Sequence, residues 1–140
     1  MMIVVDVNVV ISSLLTKGDS FKVFAINFMT KKFDFIAPEL LLLELNNHKK
    51  EIISRSKISE DDFNEVKSFI IEQISFIPRQ NFEDCLDNAK KILSNHQKDI
   101  PYLALAMKTN CPIFSGDKIL KELSPIDVYN PKEMLDKFNR

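Results

Sequence analysis

Residues 1–10 read MMIVVDVNVV, and this stretch decides the fold. The run Met2–Val5 is short, apolar and rich in Ile and Val, which is typical of a strand buried on both faces of a parallel sheet. Asp6 ends this run, and Asn8 follows two residues later. Because a buried carboxylate is unfavourable unless it is paired or binds a metal, Asp6 is a candidate site residue. Its alternative role is the N-cap of the next helix.

Outward from this stretch, short apolar strands alternate with amphipathic helices. Further strands are predicted over residues 33–36, 75–77, 113–115 and 126–129. Helices are predicted over residues 9–15, 20–31, 38–48, 59–74, 82–93, 99–108, 118–123 and 131–138. Ser20 and Ser59 are the expected caps of two of these helices, and Pro38 is expected in the first turn of another. The alternation predicts a three-layer α/β/α sandwich with a mostly parallel central sheet. With no linker or repeat in the sequence, residues 1–140 are expected to form one domain.

Asp117 repeats the pattern of Asp6. It follows the apolar strand predicted over residues 113–115 and a single glycine, Gly116. In parallel α/β sheets, ligands bind outside the carboxyl ends of the strands. We therefore expect Asp6 and Asp117 to lie at that edge, where the alternative role of Asp117 is to cap a turn or a helix.

Two further acids stand in apolar surroundings. Glu44 lies within LLLLEL at residues 40–45, and Asp99 precedes the apolar run IPYLALA at residues 100–106. The alternative for Glu44 is a solvent-exposed helix face, and the alternative for Asp99 is an N-cap. If all four acids meet, their charges repel one another and raise their pKa values, and a divalent cation relieves this repulsion. Oxygen-only ligands favour Mg²⁺ or Mn²⁺, which can promote in-line displacement at a phosphodiester.

Composition excludes several other classes of protein. The net charge is −1, which disfavours sequence-independent nucleic-acid binding through a basic surface. With two glycines, the chain has no glycine-rich phosphate-binding loop. The two cysteines lack zinc-site spacing and are expected to be free thiols in a reducing cytoplasm. No apolar run is long enough to span a membrane, and the N-terminal run lacks the features of a signal peptide.

Taken together, these motifs resemble the PIN-domain family over almost the whole chain. The order and spacing of the motifs carry the resemblance, more than any one of them alone. They are VVDVNVV at residues 4–10, Glu44 in the helix after APE at residues 37–39, KDIPYLALA at residues 98–106 and FSGDK at residues 114–118.

The resemblance implies a PIN-type α/β/α fold and a Mg²⁺- or Mn²⁺-dependent endoribonuclease. Two residues would support the site, namely Asn8 and Ser115. The family's acidic quartet would be Asp6, Glu44, Asp99 and Asp117, acting as metal ligands and catalytic residues. Many prokaryotic members of this size are VapC-type toxins, so the resemblance also implies an antitoxin partner and a homodimer, besides the RNA substrate. The pattern departs at Ile119, where many members carry a further acid.

Two alternatives remain open. A PIN fold without catalysis would act as an RNA- or protein-binding module. A haloacid-dehalogenase-like phosphatase would use Asp6 and Gly116-Asp117 in a similar order. However, Asn8 cannot supply the general acid of that chemistry, and Lys121 stands where its late acidic partner is expected.

Overall fold

The structure, a computed structural model, describes residues 1–139. Its centre is a five-stranded, wholly parallel sheet with the strand order β3-β2-β1-β4-β5. The strands are β1 (Met2–Val5), β2 (Asp34–Pro38), β3 (Ile74–Ile77), β4 (Ile113–Phe114) and β5 (Val128–Tyr129). Since β2 and β4 lie on opposite sides of β1, the chain reverses its direction of travel across the sheet at the boundary between β1 and β4. In open α/β sheets such a switch point is where ligands bind.

Helices flank the sheet and complete the predicted three-layer α/β/α sandwich. Within residues 1–139 the helices are α1 (Val7–Leu15), α2 (Asp19–Thr30), α3 (Leu40–Asn47), α4 (Lys49–Ser56), α5 (Glu60–Ile71), α6 (Leu86–Leu93), α7 (Ile100–Thr109), α8 (Lys118–Leu123) and α9 (Pro131–Lys137). Short 3₁₀ turns cover Arg79–Asn81, Glu83–Cys85 and Gln97–Asp99.

The core explains why β1 is an uninterrupted apolar run. Ile3, Val4 and Val5 are fully buried, as a central strand covered on both faces requires. The ring of Phe24 on α2 lies 5.4 Å from the ring of Phe35 on β2, between centroids, and 5.7 Å from that of Phe114 on β4. These aromatic contacts fix α2 over the strands that flank β1 and so hold the carboxyl edge of the sheet in place.

Some element boundaries differ from the sequence prediction. Pro38 does not open a helix but ends β2, because β3 continues the ladder to this residue and pairs it with Ile77. Ser20 is buried inside α2, which begins at Asp19 after Gly18. The helix α4 was not predicted, since His48 and the lysines after it gave no sign of a new helix.

The segment predicted as one helix over residues 82–93 starts with a 3₁₀ turn and becomes α-helical at Leu86. Other expectations are confirmed. Ser59 caps α5 by accepting a hydrogen bond from the Asp62 amide, and Cys85 and Cys111 are free thiols.

The Ser59 cap gives a test of the fold. We expect Ser59→Ala to lower the free energy of unfolding by about 1 kcal/mol, because the Asp62 amide loses its side-chain acceptor. Urea denaturation measures this change. Ser68→Ala is the matched control, since Ser68 is exposed in the interior of α5 and alanine is the better helix former. Equal loss in both variants would show that the cap contributes nothing.

Candidate functional site

Asp6 occupies the carboxyl end of β1 and is almost completely buried, with 2% of its surface exposed. One carboxylate oxygen accepts a hydrogen bond from the Asn8 amide at 3.3 Å and so caps α1. The other accepts a hydrogen bond from the Ser115 hydroxyl at 2.8 Å. Burial raises the pKa of Asp6 to about 6, although both hydrogen bonds lower it, and the charges of Asp117 and Glu44 raise it further. Asp6 is therefore both the predicted helix cap and a perturbed acid at the sheet edge.

Ser115 joins the ends of β1 and β4. Its hydroxyl oxygen accepts hydrogen bonds from the Asn8 side-chain amide at 3.2 Å and from the Asp117 backbone amide at 3.0 Å. The Asn8 side-chain oxygen in turn accepts a hydrogen bond from the Gly116 amide at 3.3 Å. With two donors aimed at its oxygen, the Ser115 hydroxyl directs its own proton to Asp6. Both residues predicted to support the site, Asn8 and Ser115, thus make direct hydrogen bonds within it.

Asp117 caps α8 with one carboxylate oxygen, which accepts from the amides of Ile119 and Leu120 at 2.9 and 3.0 Å. Partial burial tends to raise the pKa of Asp117. The net pKa is nevertheless lowered, by the Leu120 amide, by a hydrogen bond with Asp99, by the Ile119 amide and by the charge of Lys98. Asp117 therefore keeps its negative charge more readily than Asp6 does.

Asp99 ends a 3₁₀ turn immediately before α7 and is 2% exposed. Asp99 occupies the N-cap position of α7, as the alternative predicted, but its side chain makes no capping hydrogen bond. Within residues 1–139, its Oδ2 atom has no fixed hydrogen-bond donor. Burial raises the pKa of Asp99 to about 7, and the charge of Asp6 and the interaction with Asp117 add to this effect. Buried polar atoms in folded proteins nearly always have a hydrogen-bond partner, so the lack of a donor at this oxygen is unusual.

Glu44 lies on α3, half-buried, and accepts a hydrogen bond from the Tyr102 hydroxyl at 2.6 Å. Tyr102 is fully buried on α7. Its pKa is raised far above the ordinary value, by burial, by the hydrogen bond to Glu44 and by the charges of Glu44, Asp6 and Asp99. Sequence reasoning missed Tyr102. The sequence feature that could have indicated it is the position of its hydroxyl, which lies within the apolar run after Asp99 and one helical turn from that acid.

The four acids influence one another electrostatically at the carboxyl edge of the sheet. The pKa of Asp6 is affected by Glu44 and Asp117, and that of Asp99 by Asp6 and Asp117. Even so, no three His, Cys, Asp or Glu side chains within residues 1–139 form a group arranged to hold a metal ion. The four-carboxylate metal site therefore stays a prediction.

A family profile described as the PIN domain matches residues 4–123. The chain belongs to the PIN-domain family. PIN domains are generally nucleases and typically use divalent metals. The matched span includes Asp6, Glu44, Asp99 and Asp117.

One solved structure similar to this PIN domain is the crystal structure of VapBC2 from Rickettsia felis bound to a DNA fragment from their promoter. The two chains superpose with a TM-score of 0.70 and are 12% identical, and the match covers 93% of this chain and 98% of the other. At this identity the match shows the fold, which is the predicted one. No curated protein matches the chain significantly. Within residues 1–139, no helix combines the length and apolar character needed to cross a membrane.

The buried acids predict how the stability of the PIN domain depends on pH. In the folded chain the pKa of Asp6 rises from 3.8 to about 6, and that of Asp99 from 3.8 to about 7. At pH values between the ordinary pKa and the raised pKa of these acids, the folded chain binds more protons than the unfolded chain. Its stability therefore falls as pH rises. Without divalent metal, we expect the free energy of unfolding to fall by about 4 kcal/mol from about pH 5 to pH 7.5.

Urea denaturation across this pH range measures the slope. Asp6→Asn should reduce the slope, because Asp99 alone then titrates with a raised pKa, whereas Asp136→Asn, which changes an exposed acid on α9, should keep it. A wild-type stability that stays constant or rises over this range would contradict the prediction.

Proposed function

We propose that this PIN domain is a metal-dependent endoribonuclease that hydrolyses RNA phosphodiester bonds. The observation that carries the proposal is the group of electrostatically coupled acids at the switch point of the sheet. One of its members, Asp99, has a buried oxygen without a donor among residues 1–139. Buried, mutually repelling carboxylates are unfavourable for folding, and strongly perturbed acids in a site of this kind are candidates for function.

The donor set fits a hard divalent cation. Asp6, Glu44, Asp99 and Asp117 offer carboxylate oxygens only, which suits Mg²⁺ or Mn²⁺. The hydrogen bonds already made do not exclude this role, because each carboxylate oxygen has two lone pairs. When bound, such an ion neutralises the acids, polarises the phosphate and lowers the pKa of a water molecule.

The chain's own residues have distinct roles in this proposal. Ser115 fixes the orientation of Asp6, since it donates to one carboxylate oxygen. Asn8 holds Ser115 and the Gly116 amide together, which keeps the loop after β4 close to β1. Asp117 is fixed by the first turn of α8. The acids are therefore oriented by capping and hydrogen bonding on rigid elements, as a site that must position a phosphate requires.

A cleavage assay on a mixed RNA panel tests the proposal, with Mn²⁺, with Mg²⁺ and with EDTA. We expect metal-dependent cutting that falls on the order of 100-fold or more in Asp6→Asn and in Asp99→Asn, as the loss of one preorganised charged group typically causes. Asn can keep the cap of α1, and Asp99 makes no cap, so both variants should remain folded. Asp136→Asn is the matched control.

Retained cutting in Asp6→Asn and Asp99→Asn would remove these acids from the site. A wild-type chain that binds RNA but neither binds Mn²⁺ nor cuts any RNA would favour the alternative function, a PIN fold that acts as a binding module.

We further propose that the chain is the toxin of a toxin–antitoxin pair, with an antitoxin partner and a homodimeric state. The support is the similarity in fold to a VapBC2 structure over 93% of this chain. Expression of the wild-type chain alone in a bacterial host should arrest growth, whereas Asp6→Asn, expressed to the same level, should not. Equal growth of the two cultures would contradict a toxin that acts through its acids.

A further inference from the structure

The hydroxyl of Tyr102 joins two of the elements that carry the acids. Tyr102 lies on α7, one turn after Asp99, and donates to the Oε1 atom of Glu44 on α3 at 2.6 Å. This length lies at the short end of the ordinary range for a hydrogen bond from a hydroxyl to an oxygen acceptor. Within residues 1–139, no other side chain donates a hydrogen bond to Glu44.

The two partners differ greatly in how firmly they are held. The Tyr102 ring is fully buried and is followed by the fully buried Leu103 and Ala104. By contrast, Glu44 is half-buried on α3, between exposed Leu43 and buried Leu45, and has the rotamer freedom of a long side chain. Because Tyr102 is held by the core, its hydrogen bond restricts the Glu44 side chain, which would otherwise sample several rotamers.

We propose that Tyr102 is a positioning residue whose hydroxyl holds the Glu44 carboxylate where it interacts with Asp6 and thereby raises the affinity of the site for a divalent cation. This inference rests on the proposed function. It is compatible with metal binding by Glu44, because Oε1 keeps one lone pair and Oε2 keeps both. Groups that orient a metal ligand commonly change metal affinity or activity by about 10- to 100-fold when they are removed.

Tyr102→Phe tests the inference, since it removes the hydroxyl and keeps the buried ring. We expect Mn²⁺ to bind on the order of 10- to 100-fold more weakly, as measured by isothermal titration calorimetry. The Mn²⁺ concentration for half-maximal RNA cutting should rise by the same factor, and the maximal rate should recover at high Mn²⁺. Tyr129→Phe is the matched control, because the hydroxyl of this other tyrosine lies 3.4 Å from the exposed Asp127. An unchanged Mn²⁺ affinity in Tyr102→Phe would overturn the inference.

A double-mutant cycle separates positioning from general structural damage. If Tyr102 acts through Glu44, Tyr102→Phe should change the Mn²⁺ affinity of a Glu44→Ala chain by less than about twofold. An equal loss of affinity in both backgrounds would show that the hydroxyl does not act through Glu44, and would overturn the inference.

A measurement on the wild-type chain does not depend on the folding of any variant. With two tyrosines in the sequence, ¹³C-tyrosine labelling gives one ring-carbon signal for each. Titration with Mg²⁺ should shift the Tyr102 signal and leave that of Tyr129 in place. Mg²⁺ binding without a Tyr102 shift would overturn this inference alone. A wild-type chain that neither binds Mn²⁺ or Mg²⁺ nor cuts RNA would overturn the proposed function and this inference together.

Discussion

The hydrogen bond from Ser115 to Asp6 is the interaction on which the site depends. A carboxylate at the end of a central strand cannot reach bulk solvent, so it needs donors from its neighbours. The parallel pairing of β1 with β4 brings the Ser115 hydroxyl to 2.8 Å from Asp6. Asn8 and Asp117 then direct their donors to the Ser115 oxygen. A single hydroxyl thereby fixes the distance between two strand ends that are more than 100 residues apart in sequence.

Asp99 is the contrasting case, because its Oδ2 atom has no donor within residues 1–139. A fold selected for stability alone would supply a donor there or replace the acid with an apolar residue. Natural sequences break such rules chiefly at functional sites. Burial and the neighbouring acids Asp6 and Asp117 raise the pKa of Asp99. Asp6 is accommodated because its neighbours donate hydrogen bonds to both of its oxygens. Asp99 lacks such a donor at Oδ2, which indicates that it is retained for function.

Features that depend on residues close together in the sequence could be predicted, whereas contacts between residues far apart in the sequence could not. The strand-then-acid pattern located Asp6 and Asp117, because a parallel sheet brings such ends to one edge. Local capping chemistry located Ser59. The extension of β2 through Pro38 could not be predicted, since it follows from pairing with β3. The bond between Tyr102 and Glu44 joins residues 58 positions apart, and neither periodicity nor composition indicates which hydroxyl will reach which acid.

The packing of α7 in the core fixes the positions of acids that come from separate elements. Its stretch from Tyr102 to Ala106 is buried, and the small side chains of Ala104 and Ala106 allow it to pack closely. Asp99 at its start and Tyr102 one turn later are thus placed by core packing, and Tyr102 extends that control to Glu44. Because core packing sets the positions of these groups, substitutions on the surface can accumulate without moving them.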